Sequence, residues 1–124
     1  MKIRINRATG GATDGRTDFA YDGLGRLRRR LEYAGALGPM ANTNWFFASE
    51  TDYIYDGNRV IQERDLSHTP LVSYTRGTDL SGTLEGAGGI GGLLARTDNT
   101  QLPSTNAHAF YFADGNGAAQ FFFL

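Results

Sequence analysis

Several groups of residues in this 124-residue chain are of types that could do chemistry. Gly86-Ala87-Gly88-Gly89-Ile90-Gly91 matches the G-x-G-x-x-G spacing of a dinucleotide-binding turn. Such a turn needs a strand before it, a helix after it to aim amides at a pyrophosphate, and an acidic residue about 20 positions on for the ribose. Here Gly92 and the short run Leu93-Leu94-Ala95 make a poor helix, and Asp114, 23 positions after Gly91, falls in a turn sequence. No Gly-Lys-Ser/Thr is present, so there is no P-loop, and the aspartates lack the nonapeptide spacing of a calcium-binding β-roll. Ser81, His108 and several aspartates have the residue types of a hydrolytic triad, but no G-x-S-x-G elbow presents the serine. Asp79 and Glu85 are candidate paired carboxylates for glycoside hydrolysis, yet nothing sets their separation, and turn formation accounts for the aspartates. His68 and His108 stand apart from any ligand-like spacing and read as surface or loop histidines. Arg26, Arg28, Arg29 and Arg30 could meet phosphates, but no aromatics interleave them and acidic residues lie close by, so a solvated strand face is expected instead. No catalytic residue, metal site, cofactor or nucleic-acid partner is expected.

Composition points the same way. Net charge is −1 and the pI about 6.1, so no global field draws nucleic acid or anionic membrane. Apolar residues make up 40%, too many for a disordered chain, and 17 glycines are roughly twice the average usage. Glycine is unfavourable inside helices and useful in turns, while the tyrosines and phenylalanines suit strands. Without cysteine there are no disulfides or thiolate metal sites, and no compartment can be inferred from redox chemistry. No signal peptide is visible behind Met1, and no run of about 18 apolar residues predicts a membrane span.

The elements that would position these residues are strands and tight turns. Residues 1–15 are polar and rich in Gly and Thr, with a brief alternation at Lys2-Ile3-Arg4-Ile5, and are expected to be a flexible lead-in. A first hairpin is predicted from about Thr17 to Tyr33, turning at Asp22-Gly23-Leu24-Gly25; Leu27, Leu31 and Tyr33 share one face of its return strand. Residues 34–42 read as a loop, followed by separate strands at Asn44–Ala48 and Thr51–Tyr55. Asp56-Gly57-Asn58 turns the chain into a strand over Arg59–Arg64, and Leu71–Thr75 follows after a turn at Ser67–Pro70. Seven glycines between Gly77 and Gly92 exclude a helix there. A last run, His108–Phe112, leads to a third turn at Asp114-Gly115, and residues 118–124 form an apolar tail. Gly23, Gly57 and Gly115, each following Asp, are expected to take positive φ.

The hairpins repeat. FAYDGLGRL is echoed by YIYDGNRVI, and a third turn carries Ala113 where the first two carry tyrosine. Tyr21-Asp22-Gly23-Leu24-Gly25-Arg26-Leu27 resembles the YD repeat of the RHS family, and Tyr55-Asp56-Gly57-Asn58-Arg59-Val60-Ile61 resembles the variant near the end of bacterial RHS arrays. Tyr74, Gly77, Asp79–Gly82 and Gly86–Leu94 resemble the segment that follows it; the similarity covers about Thr17 to Gly117. The resemblance implies an all-β fold of consecutive antiparallel hairpins, residues 16–117, forming a strip of a β-shell with a glycine-rich loop. Tyr21, Asp22, Gly23, Tyr55, Asp56, Gly57, Asp114 and Gly115 would be its structural repeat positions, the tyrosines packing between neighbouring hairpins.

The resemblance further implies a non-catalytic shell segment of an encapsulating, cell-surface or toxin-associated protein, typically secreted. Its partners would be neighbouring hairpins, an enclosed toxin domain in the parent protein, or further copies through edge strands. The family's Asp-Pro cleavage motif is absent, and the ending Ala118–Phe123 departs from the expected continuation, so an internal or truncated slice is expected. The alternative is a surface module binding carbohydrate or a protein partner, with Trp45, Phe46 and Phe47 as stacking residues.

Overall fold

The computed structural model describes residues 1–7, 14–37, 43–113 and 119–123. The chain is all-β: nine strands among the described residues and two single 3-10 turns, at Asn99–Gln101 and Thr105–Ala107. The strands are β1 (Lys2–Arg7), β2 (Gly15–Tyr21), β3 (Leu27–Leu37), β4 (Thr43–Asp56), β5 (Arg59–Arg64), β6 (Pro70–Arg76), β7 (Leu93–Asp98), β8 (His108–Ala113) and β9 (Ala119–Phe123). Each strand lies beside its neighbour in sequence, and every recorded pairing is antiparallel. The chain divides into two compact units, one of residues 1–53 with 65–68, the other of residues 54–64 with 69–124.

The first unit contains β1, β2, β3 and most of β4. Residues 2–7 are a strand rather than a lead-in: Lys2 pairs with Ala20 and Arg7 with Gly15. Alternation over Lys2–Ile5 is too short to stand alone, because a strand needs a partner to satisfy its backbone groups. β3 likewise runs on to Leu37, where a loop was expected, since Gly35, Ala36 and Leu37 pair with Trp45, Asn44 and Thr43. The two aromatic strands expected on either side of Ser49 are a single one. β4 absorbs the break in alternation with a bulge, where Glu32 faces Ser49 and Tyr33 faces Phe47.

One face of the first unit carries a cross-strand ladder. Asp18 is held by Arg4 (2.8 and 3.2 Å) and by Arg16 (3.0 and 2.7 Å) in two bidentate pairs. These guanidiniums, Arg16 first, hold the Asp18 carboxyl well below the usual carboxylate range. Arg16 lies 4.5 Å above the Tyr33 ring, which meets Phe47 edge to face at 6.2 Å.

The second unit contains the end of β4 and β5 to β9. Arg76 and Leu93 close a loop around the glycine-rich passage, and the short run Leu93-Leu94-Ala95 opens a strand, Leu93–Asp98. Among the described residues neither unit shows a conventional core. The buried apolar residues among those described are Val72, Ala107 and Ala109, and no large side chain is fully buried. Asp14, Glu50, Thr51, Arg59 and Asp79 are buried as well, so polar partners fill much of the interior.

Candidate functional site

The repeated Tyr-Asp-Gly sequences turn the chain in two different ways. In the first, Asp22 and Arg26 bracket a three-residue loop. Asp22 N–H donates to the Arg26 carbonyl at 3.0 Å, and Gly25 N–H donates to the Asp22 carbonyl at 3.1 Å. The Asp22 carboxylate accepts from the amides of Leu24 and Arg26, each at 3.0 Å, and from Arg26 Nε at 2.8 Å. Gly25 takes φ +77°, whereas Gly23 does not enter the left-handed region. That corrects the expectation for Gly23. In a three-residue hairpin the left-handed residue comes last, after a type I turn, so the second glycine is the one required.

The second copy closes with two residues. Gly57 takes φ +60° and Asn58 stays at negative φ, the pattern of a type II′ turn. Asp56 is exposed and ion-pairs with Arg59 at 2.8 Å. The acceptor for the turn amide is remote in sequence: Glu85 Oε1 takes a 2.7 Å hydrogen bond from Asn58 N–H and lies 3.3 Å from Arg59 Nε. A side chain at position 57 would place its Cβ 2.5 Å from that oxygen. Glycine is needed there both for its backbone angle and for the close approach of Glu85.

Glu85 is held in place by the glycine-rich passage, which is organised around Asp79. The buried Asp79 carboxylate accepts from Ser81 N–H (2.9 Å), Ser81 Oγ (2.6 Å), Ala87 N–H (2.7 Å) and Gly89 N–H (3.1 Å). The Ser81 hydroxyl above all, then these amides, outweigh the cost of burial and lower its pKa to about 2. Gly82, Gly88, Gly89 and Gly91 take positive φ, curling the backbone so that its amides converge on one carboxylate. The passage is tied at its base by Gly77 N–H to the Gly92 carbonyl (2.8 Å) and across its middle by Leu80 N–H to the Ile90 carbonyl (3.0 Å). A carboxylate whose two oxygens already take four donors acts as a structural anchor.

The other candidates are dispersed. The G-x-G-x-x-G stretch lies within these turns and leads into β7, with no helix to receive a dinucleotide. Ser81 Oγ engages Asp79 and Thr83, while His108 Nδ1 lies 3.1 Å from Thr97 Oγ1, so the triad candidates do not meet. Asp79 and Glu85 face different partners, the amides of Ala87 and Asn58. His68 is exposed at φ +62° in the turn after β5. Among the described residues no cluster of three or more His, Cys, Asp or Glu could hold a metal ion. Arg26, Arg29 and Arg30 each hold a carboxylate: Asp22, Asp52 with Glu50, and Glu32. Phe46 and Phe47 are 58% and 51% exposed and Trp45 is half-buried. Successive strand residues face opposite ways, so Trp45 and Phe47 share a face and Phe46 lies on the other. Tyr21 and Tyr55 are half-buried. Asp114 and Gly115 lie outside the described residues.

Sequence context marks Glu85 only as a candidate carboxylate partner of Asp79, and Arg59 only as the start of a strand. The Asp79-Leu80-Ser81 spacing does carry a local signal, an aspartate accepting from the amide two residues on. Nothing near Glu85 announces a contact 27 residues back along the chain.

No family model, curated protein or solved structure matches this chain. No helix among the described residues is long and apolar enough to cross a membrane.

Proposed function

We propose that the chain is a structural segment of a YD-repeat β-shell, serving an encapsulating, cell-surface or toxin-associated scaffold and carrying no catalysis of its own. The supporting observation is the architecture of the strands. Each pairs antiparallel with its sequence neighbour, while large apolar side chains such as Ile5, Phe46, Leu84 and Phe112 stay exposed. Antiparallel hairpins that leave this much apolar surface open gain stability when further strands or chains cover them. The Asp22, Glu85 and Asp79 interactions fit this role, since each carboxylate spends its acceptor oxygens on holding a turn.

The exposure of Phe46 and Phe47 favours a second reading, a surface that binds carbohydrate or a protein partner. Only Trp45 and Phe47 share a face, so a sugar ring would stack on those two, beside Tyr33.

Trp45 emission separates the two readings. As a shell segment, the chain should show a blue shift that grows with protein concentration and ignores added mono- and oligosaccharides. A saturable saccharide response from a chain that remains monomeric would overturn the shell reading in favour of the binding surface.

A further inference from the structure

The second unit contains an open cavity of about 550 Å³ whose wall carries Arg59, Arg64 and Arg76 together with Tyr74. Arg59 is only 8% exposed, and its charge is met by Asp56 and Glu85. The other two arginines are differently placed. Arg76 Nε donates to the Val60 carbonyl at 2.8 Å, and Arg64 Nε donates to Gln62 Oε1 at 2.6 Å. Among the described residues no carboxylate lies within ion-pair distance of either. Arg76 sits 5.7 Å above the Tyr74 ring, and its pKa is lowered by burial first and then by the charge of Arg59. Among the described residues Asp56 is the only acidic one on the cavity wall, and it is paired with Arg59. Holding part-buried cations beside one another is unfavourable unless an anion joins them.

We propose that this cavity binds a compact organic oxyanion, a carboxylate, sulfate or phosphate group on a small apolar or ring body. Among the described residues the planar forks of Arg64 and Arg76 make no hydrogen bond beyond those at Nε, and such forks take oxyanion oxygens in pairs. Ile61 and Leu84 on the same wall provide apolar contact for the body of the ligand. The site is independent of the shell reading, since loss of self-association would leave the cavity wall intact.

The test is a titration of the full chain followed by arginine Nε–H resonances, with phenyl phosphate, benzoate, inorganic phosphate and benzyl alcohol as probes. Phenyl phosphate or benzoate should shift Arg64 and Arg76 saturably with a Kd of about 1 mM or lower. Inorganic phosphate should bind at least about threefold more weakly than phenyl phosphate, lacking the apolar contact, and benzyl alcohol should not bind. Arg64→Gln and Arg76→Gln should each weaken binding about tenfold, while Arg4→Gln in the first unit should not. Two variants keep the test decisive if one fails to fold. Shifts that stay linear to about 20 mM, far above the expected Kd, would overturn the proposal. So would binding of the neutral alcohol, inorganic phosphate as tight as phenyl phosphate, or wild-type affinity in both variants.

Discussion

Substitution of Gly57 tests the turn and its remote clamp together. At φ +60° an L-residue costs about 1–2 kcal/mol. A Cβ would also stand 2.5 Å from Glu85 Oε1 and 2.9 Å from the other carboxylate oxygen, forcing Glu85 away. Displacement gives up its hydrogen bond to Asn58 N–H and its proximity to Arg59. A hydrogen bond to a charged group is worth about 1.5–3 kcal/mol, less where water can replace it, as at this exposed turn. Gly57→Ala should therefore cost about 2–4 kcal/mol, and Gly57→Val more, because branching at Cβ is poorly tolerated at positive φ. The two contributions separate in a double-mutant cycle with Glu85→Ala. Once Glu85 is gone the clash is gone, and Gly57→Ala should cost only the backbone share, about 1–2 kcal/mol. The coupling, about 1–2 kcal/mol, then measures the clamp itself. Urea unfolding followed by far-UV circular dichroism supplies all four stabilities. Strict additivity would refute the clamp, and an unchanged Gly57→Ala midpoint would refute the turn geometry.

Gly25→Ala should destabilise by about 1–2 kcal/mol while Gly23→Ala is nearly neutral, as thermal melts will show, because only Gly25 is left-handed. Asp79→Asn should loosen the glycine-rich passage, seen as faster amide exchange at Ala87 and Gly89, whose donors it holds. The Asp79 pKa is lowered to about 2, so this protection should be complete above the unfolded carboxyl value and lost as pH falls through about 2. Protection factors, taken relative to the intrinsic exchange rate at each pH, that stay high at the acid end would contradict the anchor. β9 stands at the end of the strand order, so removing Phe121–Leu124 should shift the chain toward monomer in sedimentation. A full-length chain monomeric at about 100 μM, where open edges associate, would show the edge to be protected.

The local alphabet was enough to set the class of fold. Period-2 alternation, Asp-Gly punctuation and a glycine content hostile to helix specify hairpins, because side-chain direction along a strand and turn dihedrals are properties of a few adjacent residues. The glycine-rich passage could be recognised as non-helical on the same grounds. Register was not legible in this way. Which glycine of Tyr21–Leu27 is left-handed depends on loop length, and that follows from Asp22 facing Arg26. β1 and the end of β3 exist because β2 and β4 pair with them, a condition that a short polar stretch does not announce. The seat of Glu85 over Gly57, the four donors converging on Asp79 and the grouping of Arg59, Arg64 and Arg76 on one cavity wall belong to tertiary structure alone. They join residues far apart in the chain, and no local spacing encodes the loop closure that brings them together.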